Sequence, residues 1–272
     1  MISPDTDSIA VRREGPVTVL RFTRPDSLNA LSFGMLRHFH DILDDLLYDY
    51  EQRVVVLEAE GRAFCAGIDL YDVTGGQQWV EGVGRVQATY GLQEAVGRLI
   101  TKLRRIPQPV IAVVNGLAVG GGLSIACAAD VRIGEPAARF NPAFVKLAAS
   151  GGDMGSSWLL PRIIGFEAAA AILLTGRNID ADEALRLGLL TSVVEAGAGT
   201  AAALALAEEM CALAPFTTRM TKSLLNLSRD GASLDQMIEY ENRTQVMMTS
   251  TADFTEATTA FVERRTPSFG DA

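Results

Sequence analysis

One stretch decides the fold of this chain: Asn115–Gly116–Leu117–Ala118–Val119–Gly120–Gly121–Gly122–Leu123–Ser124. The apolar run at 109–114 predicts a buried strand, and the small residues at 123–129 predict a helix. The glycines therefore open a helix, where main-chain N–H groups are unpaired and the positive end of the helix dipole lies. Because glycine has no side chain, a ligand oxygen can approach these N–H groups closely. The pattern predicts either an oxygen-binding turn or a tight turn with nothing bound.

A second turn of small residues follows an apolar run at 54–59. It reads Ala63–Phe64–Cys65–Ala66–Gly67–Ile68–Asp69–Leu70. Two main-chain N–H groups, one from each turn, can stabilise negative charge that develops on a single oxygen. The sequence therefore predicts an oxyanion hole formed by the amides of Ile68 and Gly121.

Three motifs in combination resemble the crotonase superfamily, the enoyl-CoA hydratase/isomerase group. They are Phe-Cys-Ala-Gly-x-Asp-Leu at 64–70, Asn-Gly-x-Ala-x-Gly-Gly-Gly at 115–122 and Ala-Phe-x-Glu-x-Arg-x-Pro-x-Phe at 260–269. The resemblance extends from 17 to 269 and implies an α/β fold, a crotonase-like spiral of ββα units with a helical C-terminal region. It implies a core at 1–200 and, at 201–272, helices that cover coenzyme A and form a trimer, often doubled to a hexamer.

The same resemblance implies the roles of individual residues toward the substrate, an acyl-CoA thioester. The amides of Ile68 and Gly121 hold the thioester carbonyl and stabilise the enolate formed from it, and Asp69 orients the Ile68 turn. The expected substrate-binding positions are Ala66, Gly67, Asp69, Gly120, Ser124 and Ala143. Coenzyme A enters as part of the substrate, and we expect no separate cofactor and no metal site.

Proton transfer beside a thioester carbonyl usually needs a carboxylate. Hydratases of this group carry one glutamate two places after the glycine triplet and another after a Phe-x-x-Pro loop. This chain has Ser124 and Ala143 there, or Val145 with a different gap. Counted back from Leu-Pro-Arg at 160–162, Asp153 matches a catalytic aspartate of dienoyl-CoA isomerases and the nucleophilic aspartate of chlorobenzoyl-CoA dehalogenase. We therefore predict that Asp153 moves a proton or adds to the acyl chain; the alternative is a helix N-cap.

Other polar side chains have weaker indications. Glu81 and Glu94 are reserve candidates for proton transfer, although a solvated position suits both of them better. Arg104 and Arg105 could contact coenzyme A phosphates or could be simple helix-end charges. The Ser124 hydroxyl could bind substrate or satisfy a nearby carbonyl group.

Composition narrows the class of protein. The 272 residues are 48% hydrophobic, enough for a large α/β core, and the formal net charge of −9 argues against nucleic-acid partners. Cys65, Cys127 and Cys211 are odd in number and widely spaced, which predicts buried thiols in a reducing compartment and hence a cytoplasmic protein. Since we see neither a signal-peptide pattern nor an apolar run of membrane-spanning length, we expect no membrane partner.

Three other enzyme classes fit less well. The glycine spacing lacks the Gly-x-Gly-x-x-Gly of dinucleotide-binding folds, and Gly-x-Ser-x-Gly is matched only in part around Ser124. His38 and His40 lie two positions apart on one predicted helix, so their side chains diverge, which argues against a shared metal site. A cysteine nucleophile at Cys65 lacks an evident base. Two further alternatives stay open: a CoA-thioester hydrolase or dehalogenase-type enzyme, and an acyl-CoA-binding protein without catalytic activity.

Strand and helix signals alternate through the first two-thirds of the chain, and the last third is helical. Ser32 is expected to cap a helix. The segment 71–84 is rich in glycine and polar residues, which predicts a surface loop. Helices are expected from about 85 to 103 and from near Asp153 to 162.

Overall fold

The computed structural model describes residues 4–75 and 78–270, and within these ranges it contains ten strands and eleven α-helices. The strands are β1 (Ile9–Glu14), β2 (Val17–Phe22), β3 (Val54–Ala59), β4 (Ala63–Cys65), β5 (Val110–Val114), β6 (Leu117–Val119), β7 (Val131–Gly134), β8 (Arg139–Asn141), β9 (Ile179–Asp180) and β10 (Ser192–Val193). The helices are α1 (Phe33–Leu47), α2 (Leu70–Thr74), α3 (Arg85–Arg105), α4 (Gly121–Ala128), α5 (Ser156–Ile164), α6 (Phe166–Thr175), α7 (Ala181–Arg186), α8 (Gly199–Cys211), α9 (Pro215–Arg229), α10 (Leu234–Met248) and α11 (Ala252–Glu263).

The larger sheet has six strands in the order β1-β2-β3-β5-β7-β10. β1 and β2 form an antiparallel hairpin, and the other neighbours are parallel. Alternate residues of β3 face opposite sides: Val55 and Leu57 join the main core with α1 and α3, whereas Val54 and Val56 pack with α8. Because both faces are covered, the strand is an unbroken apolar run.

The smaller sheet has the order β4-β6-β8-β9 and was not predicted from the sequence. We expected only turns at 63–65 and 117–119, and a loop after 138. Each consecutive pair β3/β4, β5/β6 and β7/β8 gives one strand to each sheet, which is the expected spiral. The strands were missed because three residues are too few to establish an alternating pattern.

Helix boundaries agree with the predictions at some points and differ at others. The Ser32 side chain accepts a hydrogen bond from the Met35 amide at 3.1 Å and caps α1, as predicted. The expected surface loop at 71–84 instead begins within α2, and its residues 76 and 77 lie outside the described ranges. The helix predicted from near Asp153 to 162 is α5, but its bounds differ, because it begins at Ser156 and ends at Ile164.

The C-terminal region is helical, as expected. α8 packs on the larger sheet, so the predicted boundary between the core and the C-terminal region, at residue 200, falls within a core helix. The division of the chain into these two parts stays a prediction. α9 is held to the core by Lys222, whose Nζ donates to the Gln108 carbonyl at 2.7 Å and lies 2.9 Å from Asp130 Oδ2. Burial lowers the pKa of Lys222, and the Asp130 carboxylate opposes this shift. None of the described helices has the length and apolarity needed to span a bilayer.

Candidate active site

The predicted oxyanion turn at Ile68 is held by the segment that precedes α1. The Leu31 amide donates to the Gly67 carbonyl at 2.7 Å, and the Asp69 amide donates to the Leu31 carbonyl at 3.0 Å. In this parallel bridge the amide of Ile68 points away from Leu31. Within the described ranges, the Ile68 amide donates no hydrogen bond to the protein, so it is free to bind a ligand.

The second amide belongs to Gly121, the first residue of α4. Gly120 precedes it at φ +52°, a left-handed conformation that glycine adopts without strain, and its amide donates to the Asn141 carbonyl at 2.8 Å. In the described part of the chain, the Gly121 amide has no hydrogen-bond acceptor. This is the expected state of the first N–H group of a helix.

The two turns lie against each other. A methyl group added at Gly67, whose φ is +89°, would lie 3.2 Å from the Gly121 nitrogen and 2.9 Å from the Val119 carbonyl oxygen. Only a residue without a side chain permits this approach. The turns therefore place the free amides of Ile68 and Gly121 in one small region.

Asp69 is placed to orient the first turn. Its carboxylate accepts from the Tyr71 amide at 3.1 Å, which caps α2, and it is 3.1 Å from a guanidinium nitrogen of Arg24. The Arg24 amide in turn donates to the Asn29 side chain at 2.8 Å. The Ala66 amide is used within the fold, because it donates to the Leu28 carbonyl at 3.0 Å. These contacts tie 24–31 to the turn at 66–69.

Asp153 lies in the loop before α5, and its carboxylate is bound through one oxygen. Oδ1 accepts from the side-chain amide of Gln93 on α3 and from the Met154 amide, the latter at 2.7 Å. The N-cap of α5 is Gly155 and has no side-chain capping bond. The helix-cap alternative for Asp153 is therefore wrong, because Met154 and Gly155, both with positive φ, turn the chain before the helix starts.

Ser124 and Ala143 occupy the positions where related hydratases carry glutamates. Ser124 is fully buried, and its hydroxyl donates to the main-chain carbonyl of Asp153 at 3.3 Å, so it is used within the fold. Ala143 is half-buried at the start of a short 3-10 helix, Ala143–Leu147. The Phe144 ring of that helix would lie 3.4 Å from a methyl group added at Gly120. Substrate binding by Ser124 and Ala143 stays a prediction.

Sequence reasoning missed two residues beside Asp153. Gln93 looked like an ordinary polar residue of a surface helix, because nothing in the sequence pairs it with a residue 60 positions away. Met154 is buried at φ +47°, and its sulfur would lie 2.8 Å from a methyl group added at Gly121. A left-handed methionine has no sequence signature, and such backbone strain is concentrated at functional sites.

The other polar residues considered from the sequence have other contacts or are poorly suited to catalysis. Glu94 pairs with Arg98 at 3.3 Å on the exposed side of α3, and Glu81 is exposed. Arg104 contacts Asp230 and Asn226 and stacks on a tryptophan ring, which fits a structural helix-end charge. Burial raises the pKa of Cys65 to about 12, so a Cys65 nucleophile is excluded at neutral pH.

A cavity of about 500 Å3 is lined by residues of α1, α2 and α3, and we call it the α2–α3 cavity. Its lining comes from α1, α2, the segment after α2 and the first two turns of α3, and consists of Phe33, Val73, Thr74, Gln78, Trp79, Arg85, Ala88, Thr89 and Leu92. Five of these side chains are apolar and four are polar, and several of them are exposed, so the cavity is a groove open to solvent. Leu92 precedes Gln93 on α3, so the cavity lies one residue along the helix from the side chain that binds Asp153.

Known proteins match this chain over nearly its whole length. The profile of the family described as enoyl-CoA hydratase/isomerase matches residues 12–272. A protein named "Probable enoyl-CoA hydratase EchA12" from Mycobacterium tuberculosis is 37% identical over 258 residues, 94% of this chain and 90% of that protein. The short-chain-enoyl-CoA hydratase of Clostridium acetobutylicum is 31% identical over 262 residues, 96% of this chain and 97% of that protein.

A solved structure matches equally well. The crystal structure of a probable enoyl-CoA hydratase/isomerase from Mycobacterium abscessus superposes with a TM-score of 0.90 at 33% identity, covering 97% of this chain and 99% of that one. The chain therefore belongs to the enoyl-CoA hydratase/isomerase family, within the crotonase superfamily. Within that family it is an enoyl-CoA hydratase-like enzyme.

Proposed function

We propose that this enzyme performs acid–base chemistry on the enolate of an acyl-CoA thioester. The amides of Ile68 and Gly121 hold the thioester oxygen, and Asp153 transfers the proton. The observation that carries the proposal is the contact between two turns whose amides at Ile68 and Gly121 have no acceptor in the described part of the chain. Each donor of such a pair contributes about 3–4 kcal/mol to transition-state stabilisation.

Double-bond migration is the reaction that one carboxylate supports best. Asp153 takes a proton from the carbon next to the thioester of a 3-enoyl-CoA, and the electron pair moves onto the carbonyl oxygen held by the two amides. The protonated Asp153 then returns the proton two carbons further along, which yields the 2-enoyl-CoA. Syn hydration uses a second carboxylate in related hydratases, and Ser124, which stands at one of those positions, already donates to the Asp153 carbonyl.

Substitution of Asp153 by Asn tests the proton-transfer role. We expect Asp153→Asn to lower kcat by about 100-fold or more, because positioned acid–base groups contribute rate factors of this size, while coenzyme A affinity changes little. Turnover is measured across enoyl-, dienoyl- and hydroxyacyl-CoA thioesters. Glu94→Gln is the matched control, because Glu94 is exposed and paired with Arg98, and it should keep wild-type turnover. Wild-type turnover by Asp153→Asn would contradict the role.

The same panel separates the alternatives. Hydrolysis of the thioester or displacement at the acyl chain would support a hydrolase or dehalogenase-type enzyme. Tight binding by the wild type with no conversion of any thioester would support a binding protein, which the serine and alanine at the glutamate positions favour.

We also propose a homotrimer or a hexamer. Several apolar side chains of the last two helices are exposed in the single chain: Leu234, Val246, Phe261 and Val262. Exposed apolar surface of this kind is typical of a subunit interface. A solution mass of three or six chains by light scattering would support the proposal, and a monomer at micromolar concentration would contradict it.

A further inference from the structure

The α2–α3 cavity contains a positive charge that the proposed reaction does not use. Arg85 is the one ionisable side chain among the described residues that line the cavity. Within the described ranges it forms no ion pair and no hydrogen bond, although the chain has 33 acidic residues. Arg85 is also the first residue of α3, where a positive charge disfavours the helix. Arg85 is exposed, so solvent compensates its charge, and helix stability does not explain its position at the start of α3.

A row of polar residues connects the cavity with Asp153. Arg85, Thr89 and Gln93 are spaced four residues apart on α3 and so share one face of the helix. Arg85 and Thr89 line the cavity, and Gln93 donates to the Asp153 carboxylate. Arg85 and Gln93 are about 12 Å apart along the axis, since the helix rises 1.5 Å per residue. This exposed face of α3 therefore spans the distance between Asp153 and Arg85.

The intervening wall suits a carbon chain. Trp79 stands edge-on to Phe33 with ring centroids 5.8 Å apart, and both rings line the cavity with Leu92. The site thus combines the Phe33 and Trp79 rings with the Arg85 guanidinium, and the guanidinium of Arg37 stacks on Trp79 at 4.6 Å. Guanidinium groups bind carboxylates through two parallel charge-assisted hydrogen bonds, which a methyl chain end cannot accept.

We infer that the substrate's acyl group ends in a carboxylate, which Arg85 binds while the thioester end lies at Asp153. The inference rests on the proposed function, because it assumes that the acyl-CoA thioester binds at the two turns. It makes Arg85 a specificity-determining residue and the substrate class ω-carboxyacyl-CoA thioesters.

Binding of two saturated thioesters tests the inference without turnover. One is an acyl-CoA with a terminal carboxylate, the other its methyl-ended analogue of equal length, and each affinity is measured by titration calorimetry. We expect the wild type to prefer the carboxylate form by about 10-fold or more, the usual size of a charge-assisted hydrogen-bond contribution. Arg85→Met should abolish this preference, and Arg85→Lys should restore part of it.

Arg98→Met is the matched control, because Arg98 is exposed on the same helix, as Arg85 is, but pairs with Glu94 and does not line the cavity. It should keep the wild-type preference. Equal affinity of the wild type for the two thioesters, or an unchanged preference in Arg85→Met, would overturn the inference and leave the proposed function standing. Failure of the wild type to bind either thioester would instead overturn the proposed function, and the inference with it.

Discussion

At the scale of single residues, the two oxygens of the Asp153 carboxylate have different surroundings. Oδ1 accepts from the Gln93 side chain and the Met154 amide, whereas no described residue donates to Oδ2. The first oxygen fixes the orientation of the carboxylate, and the second is available for proton transfer. A proton-transfer group works best when its orientation is fixed before the substrate arrives.

Gln93 is therefore predicted to position Asp153. We expect Gln93→Leu to lower kcat about 10-fold with little change in KM, because the carboxylate loses the side-chain donor to Oδ1. Steady-state kinetics on the best thioester of the panel measures both constants. Gln87→Leu on the same helix is the control, because Gln87 is exposed and contributes to neither the cavity lining nor Asp153.

A double mutant separates positioning from a general loss of stability. If Gln93 acts through Asp153, then Gln93→Leu has no further effect on kcat in the Asp153→Asn background. Independent, additive losses in the double mutant would contradict the positioning role.

The sequence indicated Asp153 but not its surroundings. The aspartate was found because it falls at a known distance before Leu-Pro-Arg, whereas Gln93 and Met154 have no such motif. Contacts between α3 and the loop before α5 depend on how the elements pack, and Met154 depends on a backbone conformation. Neither is encoded in a local pattern.

At the scale of elements, the site depends on two turns that touch. Gly67 makes the contact possible, because its hydrogen atoms face the Val119 carbonyl and the Gly121 amide. The sequence predicted both turns and the strand and helix around the second one. It did not predict that three-residue strands, β4 and β6, pair in parallel and hold the turns side by side.

Gly67→Ala is predicted to damage fold and function together. The new methyl group meets main-chain atoms that cannot move independently, at a φ of +89°, so we expect the free energy of unfolding to fall by about 1–3 kcal/mol. Turnover should fall further than this loss explains, since the Gly121 amide is displaced. Urea denaturation and kinetics measure the two effects.

Gly97→Ala is the matched control, and we expect it to change the free energy of unfolding in the opposite direction. Gly97 lies within α3 with open space around its Cα and a helical φ, so alanine should stabilise the protein by about 0.5–1 kcal/mol. A Gly67→Ala variant as stable and active as wild type would show that the turns do not need their close contact.

At the scale of the whole molecule, the two candidate turns follow strands β4 and β6 of the smaller sheet, and the larger sheet packs against the main core. The apolar runs at 54–59 and 109–114 predicted two strands of the larger sheet, and Ser32 predicted the start of the helix α1 that covers it. The spiral arrangement came from the family resemblance, because periodicity gives element types and not their order in a sheet. The fold confirms that arrangement through the alternation of strands between sheets.

The proposed chemistry requires the amides of Ile68 and Gly121 to converge on one thioester oxygen. A crystal structure of the enzyme with a bound, non-reacting acyl-CoA thioester tests it most directly. We predict that the carbonyl oxygen lies about 2.7–3.1 Å from both nitrogens, with an Asp153 oxygen beside the acyl carbons. A carbonyl oxygen bound elsewhere, or amides occupied by the protein's own acceptors in the complex, would contradict the account.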